Sequence, residues 1–510
     1  MPHMSDHSIS IVRRCVTLDR TSKVPLYRQL YRDLRRAILS SQLLPAMRLP
    51  ATRTLADELG LSRNTVQSAF DQLKDEGYLN SHVGSGTYVA QELPDDLNRV
   101  RGQNHLRRSV RPNAPRRLGP PDESQLSERG KLLTDLQLSF FQAGGQPRAF
   151  QPGLPALDAF PLDTWSRLTS RRWRSVPGAS LGYRQTAGYP ALREALSEYL
   201  QDSRGVHCSP EQVIIVSGTQ QAITLTAHVL LDPGDRVWIE DPGYPRATGA
   251  FRWAGAETIP TPLDEEGLDL EAAHARGADA RLAYVTPSHQ YPLGMTMSLS
   301  RRLQLLAWAE RSDAWILEDD YESEYRYEGR PIAALQGLDN AGRVIYAGSF
   351  SKVLFPALRL GYLVVPPALV RPFLAAKSLI ARSPPLAPQM IVTDFMTEGH
   401  FARHLRRMRT LYADRQSALV EALEQTVGDL LTVHSEKAGL HLTAFFRDSC
   451  SGRAVSAALQ DRDIVAPPLS FYASEPLDRD GLVLGYGAAS KDDIQKGVHE
   501  LKQTLLMRQP

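Results

Sequence analysis

The sequence predicts an α/β protein in two parts, a small helical unit closed by a β-hairpin and a large unit built on a mostly parallel sheet. Three observations carry this. Residues 24–90 hold amphipathic helical stretches followed by two short β-type runs around Gly84-Ser85-Gly86. Beyond about residue 136, short β-branched runs alternate with helical stretches, the pattern of βαβ units. Between them lies a stretch rich in Pro, Arg, Gly and Asn with little apolar periodicity.

The bulk numbers agree with that division. A chain of 510 residues is too long for one ordinary domain, and 42% apolar with 23% charged residues is globular composition. A formal charge of +2 requires any nucleic-acid surface to be local. Cys15, Cys208 and Cys450 are too far apart for a disulfide framework or metal-ligand spacing, as expected in a reducing compartment. No basic segment with an apolar core opens the chain, and no apolar run reaches about 18 residues. The expectation is a soluble, cytoplasmic protein with no membrane partner.

In the small unit, Pro25 opens a helix with Leu26, Leu30, Leu34 and Ile38 on one face. A second begins near Thr52, turns Leu55, Ala56 and Leu59 inward and stops at Gly60. A third is capped by Ser62 and runs through Val66, Ala69, Phe70 and Leu73 to Gly77. With the following hairpin this makes a winged helix over 20–90. The apolar stripe of the third helix faces the core, so Ser62, Arg63, Asn64 and Thr65 face outward, where a recognition helix meets bases and phosphates. Arg48 and Arg53 flank the second helix start and are placed for phosphate contacts.

Residues 91–135 read as a flexible basic linker, with Arg99, Arg101, Arg107, Arg108, Arg111, Arg116 and Arg117 and no acid between Asn98 and Pro120. In the large unit, 136–510, strands are expected at 213–218, 236–241, 281–287, 314–320 and 343–350, with a helix at 298–311. A smaller C-terminal part is expected from about 375. In an open parallel sheet, sites form at the strand C-terminal ends.

Those ends carry a specific constellation. Lys352, in GSFSKVLFPALRLGY, sits between small hydroxyl residues, with Arg359 and Gly361 following. A buried lysine that loses its proton is a Schiff-base nucleophile, and pyridoxal phosphate needs four further partners. Asp319 in ILEDDYESEY suits the pyridine nitrogen, and Tyr321 the phenolic oxygen. Tyr244 in EDPGYPR suits the ring face. The turn SGTQQA places Gly218, Thr219 and Gln220 at a helix N-terminus, an anion site that Ser349 and Arg359 complete.

Two resemblances follow from these motifs. RLPATRTLA, LSRNTV, the Leu73–Tyr78 run and GSGTYV resemble the GntR-type winged helix-turn-helix, apart from Ala46, where that family usually carries Gly. The Lys352 constellation resembles the fold-type I aminotransferases over roughly 145–500. Gly188, Leu192 and Arg193 fit, and Tyr183 matches the tyrosine that reaches the phosphate of a neighbouring subunit. SHQYP, EDDYESEYRY and SKVLFPALRLGY resemble one subgroup in particular, the MocR-like regulators, in which a GntR reader is fused to an aminotransferase-like domain. Tyr291 stands where the enzymes have an asparagine.

The resemblance implies a transcriptional regulator with pyridoxal 5'-phosphate as cofactor, a head-to-tail homodimer, and DNA as partner through an operator of two half-sites or direct repeats. It implies that the signal is pyridoxal phosphate itself, controlling vitamin B6 genes, or an amine that replaces Lys352 by transaldimination. Arg246 matches an arginine that holds an effector carboxylate in one member of the group. A second carboxylate arginine is missing from GLVLGYGA, and Arg479 upstream is an uncertain substitute. The rival reading is a working aminotransferase with an appended DNA domain. Residual half-reactions are compatible with either.

Overall fold

In the computed structural model, the described residues are 3–82, 86–91, 93, 126–136, 147–178, 182, 185–328, 332–382, 384–434 and 437–507. The chain divides into two compact units, Met1–Pro120 and Pro121–Pro510. The arginine-rich stretch 99–117 lies outside the described residues.

In the first unit, α1 (His3–Cys15), α2 (Leu26–Leu39), α3 (Thr52–Leu59) and α4 (Arg63–Asp75) precede β1 (Leu79–His82) and β2 (Gly86–Val89). The hairpin is antiparallel, with Leu79 opposite Val89 and His82 opposite Gly86. Leu30 and Leu34 of α2, Leu55 of α3 and Val66, Phe70 and Leu73 of α4 share one core. The Ser62 side chain caps α4 by accepting from the Thr65 amide at 3.1 Å. Helix α1 goes beyond the sequence reading: its Val12 is fully buried in that same core.

The second unit is built on a seven-stranded sheet in the order β3-β11-β10-β9-β8-β4-β5. These strands are β3 (Val213–Val216), β4 (Arg236–Glu240), β5 (Glu257–Thr261), β8 (Leu282–Val285), β9 (Trp315–Asp320), β10 (Val344–Ser349) and β11 (Gly361–Val364). Only β11 runs against its neighbours β10 and β3; the other pairings are parallel. Both faces are covered. Ile215 and Tyr346 pack into one cluster, while Ile214, Leu317 and Ile345 pack into another. Two-sided burial explains why these strands read as continuous apolar runs. β6 (Leu263–Asp264) and β7 (Gly267–Leu268) form a small ribbon beside it.

The expected strands are present, and the stretch 298–311 forms the helix Leu299–Arg311, capped by Ser298. β5 and β11 are additional. Toward the C-terminus, β12 (Leu431–His434), β13 (His441–Phe446) and β14 (Gly481–Gly485) make an antiparallel sheet. Against it lies the helix His400–Val427, burying Phe401, Leu405, Met408 and Tyr412, and the helix Lys491–Leu506 packs on that helix.

A candidate cofactor pocket at the strand ends

The C-terminal ends of β3, β4, β8, β9 and β10 converge on a cavity of about 340 Å³. The parallel register sets Ala347 of β10 opposite Asp319 of β9, so the chain that leaves each strand enters the same space. Lys352, Asp319, Tyr321, Gly218, Thr219, Gln220, Tyr244, Ser349, Arg359 and Arg246 all line it. Tyr183 lies outside the described residues.

Lys352 stands in the short helix Phe350–Val353, which Ser349 caps by accepting from the Ser351 amide at 3.2 Å. Its Nζ donates to the carbonyl oxygen of Gly153 at 2.7 Å. Burial lowers the ammonium below its ordinary pKa, against the opposing pull of Glu322 and Asp319. That is the direction a nucleophilic lysine requires.

Asp319 is buried at the end of β9. Its Oδ2 accepts from the Tyr284 hydroxyl at 2.7 Å, while Oδ1 has no hydrogen-bond partner among the described residues. Burial raises it to about 7, against the Tyr284 hydrogen bond that pulls it down. A carboxylate held this way lacks one donor, and a protonated ring nitrogen supplies one. Burial also pushes the Tyr321 phenol well above its usual range, so its hydroxyl stays a donor; it lies 3.2 Å from His289 Nδ1.

The anion side is equally specific. Gly218, at φ +108°, precedes the helix Thr219–Leu230, and a Cβ there would meet nothing within 4 Å, which leaves the first turn of that helix open. The Oε1 of Gln220 is buried without a partner among the described residues, and its Nε2 donates to the Arg246 carbonyl at 3.2 Å. Arg359 holds a left-handed backbone, φ +50°, uncommon for a non-glycine residue. Tyr244 begins the helix Pro245–Ala254 and meets Tyr291 edge-on, ring centroids 5.8 Å apart.

These residues fit pyridoxal phosphate. An acceptor without a donor, an open helix N-terminus with an arginine, an aromatic and a buried lysine occupy one cavity. The sequence reading also missed several lining residues. Tyr284 sits inside β8, and Gly153 and His441 come from distant segments, so no local motif announces them. Glu322 lay within the quoted EDDYESEY but received no role. Arg479 is exposed and stacks over Phe445 at 5.5 Å, away from the cavity. His289 is buried against Glu322, 2.8 Å from its carboxylate.

The family model for aminotransferase class I and II matches residues 161–479, and that for the bacterial regulatory proteins of the gntR family matches 26–89. The probable rhizopine catabolism regulatory protein MocR of Rhizobium meliloti is 43% identical over 96% of both chains. The chain belongs to the MocR-type transcriptional regulators.

Other relatives of the MocR type include the pyridoxine biosynthesis regulator PdxR of Corynebacterium glutamicum, 29% identical over 94% of this chain and 95% of its own. A kynurenine aminotransferase of Pyrococcus horikoshii superposes with a TM-score of 0.67 at 27% identity, covering 96% of that enzyme but 76% of this chain. The enzyme thus matches the large unit, whereas the MocR-type relatives span the reader as well. Pyridoxal 5'-phosphate is the cofactor of this fold family, and GntR-type regulators bind DNA. Among the described residues, no helix is long and apolar enough to cross a membrane.

Proposed function

We propose that this chain is a cytoplasmic homodimer that holds pyridoxal phosphate on Lys352 and uses that site to set the DNA affinity of its reader. One observation carries the reading. Lys352, Asp319, Tyr321, Tyr244, Ser349, Arg359 and the Gly218–Gln220 turn line one cavity in a chain that also carries a GntR-type reader with a helix capped by Ser62. Bound there, pyridoxal phosphate supplies an electrophilic carbon that exchanges one primary amine for another.

The roles are those that the family resemblance assigns to these residues. Asp319 accepts from the ring nitrogen, Tyr321 donates to the phenolic oxygen and Tyr244 covers the ring. The amides of Gly218, Thr219 and Gln220, with Ser349 and Arg359, hold the phosphate, and Tyr183 of a neighbouring subunit completes it in a head-to-tail pair. Arg246, exposed at the rim of the cavity, meets an anionic part of the effector. In the reader, Arg63, Asn64, Ser62 and Thr65 address bases and phosphates, while Arg48 and Arg53 hold the backbone of an operator with two half-sites.

The signal would be an amine that takes the place of Lys352 on the cofactor. A ligand shifts the reader only by its differential affinity for two arrangements of the chain. A second reading, with pyridoxal phosphate itself as the signal, is supported by the likeness to the pyridoxine biosynthesis regulator.

The test is borohydride reduction of the full chain with pyridoxal phosphate, followed by peptide mass measurement. The expected result is a phosphopyridoxyl group on Lys352 and its loss in Lys352→Ala. Label on other lysines with none on Lys352 would overturn the site.

A further inference from the structure

The wall formed by Glu322 and His441 serves none of the cofactor contacts above, yet it faces the same cavity. Glu322, His441 and His289 are each 3% exposed or less. The Nε2 of His441 lies 3.1 Å from the carbonyl oxygen of Pro292, which only accepts, so that nitrogen carries the ring proton. Burial pushes His441 to about 4, which keeps the ring neutral and leaves Nδ1 a bare acceptor. That Nδ1 stands 3.5 Å from Glu322 Oε1.

Glu322 Oε2 and His441 Nδ1 have no hydrogen-bond partner among the described residues. The nearby donors are engaged elsewhere. Lys352 Nζ donates to Gly153, the Tyr291 hydroxyl donates to Tyr472 at 3.3 Å, and His289 Nδ1 lies 3.2 Å from the Tyr321 hydroxyl and 2.8 Å from Glu322 Oε1. Burial raises Glu322, but the hydrogen bond with His289, with the positive charge of Lys352 nearby, outweighs it, so the carboxyl lies below its usual range.

Two buried acceptors without a donor are costly unless a ligand brings donors. A carboxylate arriving there would add another acceptor beside a buried anion. The neighbouring strand β14, Gly481–Gly485, carries no arginine to neutralise one.

We infer that this wall selects an effector amine through hydrogen-bond donors on its carbon skeleton, hydroxyl or second ammonium groups presented to Glu322 and His441. The inference rests on the reading in which an amine exchanges at Lys352.

The experiment titrates the full chain, loaded with pyridoxal phosphate, with 2-amino-1,3-propanediol, 1,3-diaminopropane and propylamine, which has neither a second donor nor an anion, following the visible absorbance of the lysine-bound cofactor. One of the first two is expected to shift the spectrum at a concentration about tenfold or more below the third. Which one separates hydroxyl from ammonium recognition. Glu322→Gln, and independently His441→Phe, are expected to erase that preference while the cofactor band remains.

An equal or better response to propylamine would overturn the inference, as would an unchanged preference in both variants. The three side chains also place their ligand atoms within 4.8 Å of one another. A preference abolished by EDTA would therefore assign the wall to a cation and overturn the inference. A normal band with no response to any amine, but DNA affinity that follows pyridoxal phosphate, would overturn it and leave the regulator standing. Absence of the band would instead bring down the cofactor reading itself.

Discussion

Lys352 and Gly153, 199 residues apart in sequence, meet at 2.7 Å, the lysine Nζ donating to the glycine carbonyl. Gly153 holds φ +80°, and a Cβ there would lie 2.6 Å from that Nζ. The bare backbone is what lets the lysine tip reach its position. Gly153→Ala adds a left-handed cost of about 1–2 kcal/mol and drives the flexible lysine end aside. The expected outcome is a folded protein whose retention of pyridoxal phosphate weakens about tenfold, measured by absorbance during dialysis. Unchanged retention would show that the contact does not position Lys352.

Asp319 accepts from Tyr284 and is held near 7 by burial. Only the ionised form accepts from a protonated ring nitrogen, so cofactor affinity is expected to fall as pH drops through about 7. Tyr284→Phe removes a donor that stabilises the carboxylate, which raises Asp319 further. The fall should then begin about one pH unit higher, equivalent to roughly 1.4 kcal/mol. Cofactor titrations across pH read the shift, and superimposable profiles would contradict it.

Ala46 adopts φ +62° in the turn before α3, where its amide donates to Val89 O at 3.0 Å. A methyl-bearing residue pays for that conformation, whereas glycine adopts it freely. Ala46→Gly is expected to stabilise the first unit by about 0.5–1 kcal/mol after the entropy of glycine is subtracted. Thermal unfolding of the full chain gives the check, and a lowered midpoint for the reader transition would refute it.

Arg63 is exposed at the first position of α4, and Arg53 is exposed on α3. Arg63→Ala is expected to cost about 1–3 kcal/mol of specific DNA affinity at fixed salt. Arg53→Ala should weaken binding to all sequences alike and flatten the salt dependence by about one ion. Specific affinity left intact by Arg63→Ala would displace the recognition helix from α4.

Much of this was legible because the signals are local. Capping at Ser62, the apolar stripe of α4 and the short buried strands are each written in a few adjacent residues. So were Lys352, Asp319 and Tyr321, which end strands whose parallel packing brings them together. β11 was missed because Gly361–Val364 is read inside the lysine motif, and its antiparallel direction depends on its partners β3 and β10. α1 was missed because its polar sequence buries little beyond Val12. Gly153, Tyr284 and His441 had no motif at all. They reach the cavity through tertiary packing, from segments far from Lys352 in sequence.

The central claim is that the cofactor site on Lys352 sets the DNA affinity of the reader. The direct measurement uses DNA selected by the full chain from a random duplex pool, titrated with protein in the absence and presence of pyridoxal phosphate. For the wild type, the account predicts affinities that differ several-fold between the two conditions, a coupling of about 1 kcal/mol or more. For Lys352→Ala it predicts that the difference disappears while sequence-specific binding remains. Equal affinities in the wild type, or the same difference in Lys352→Ala, would contradict it.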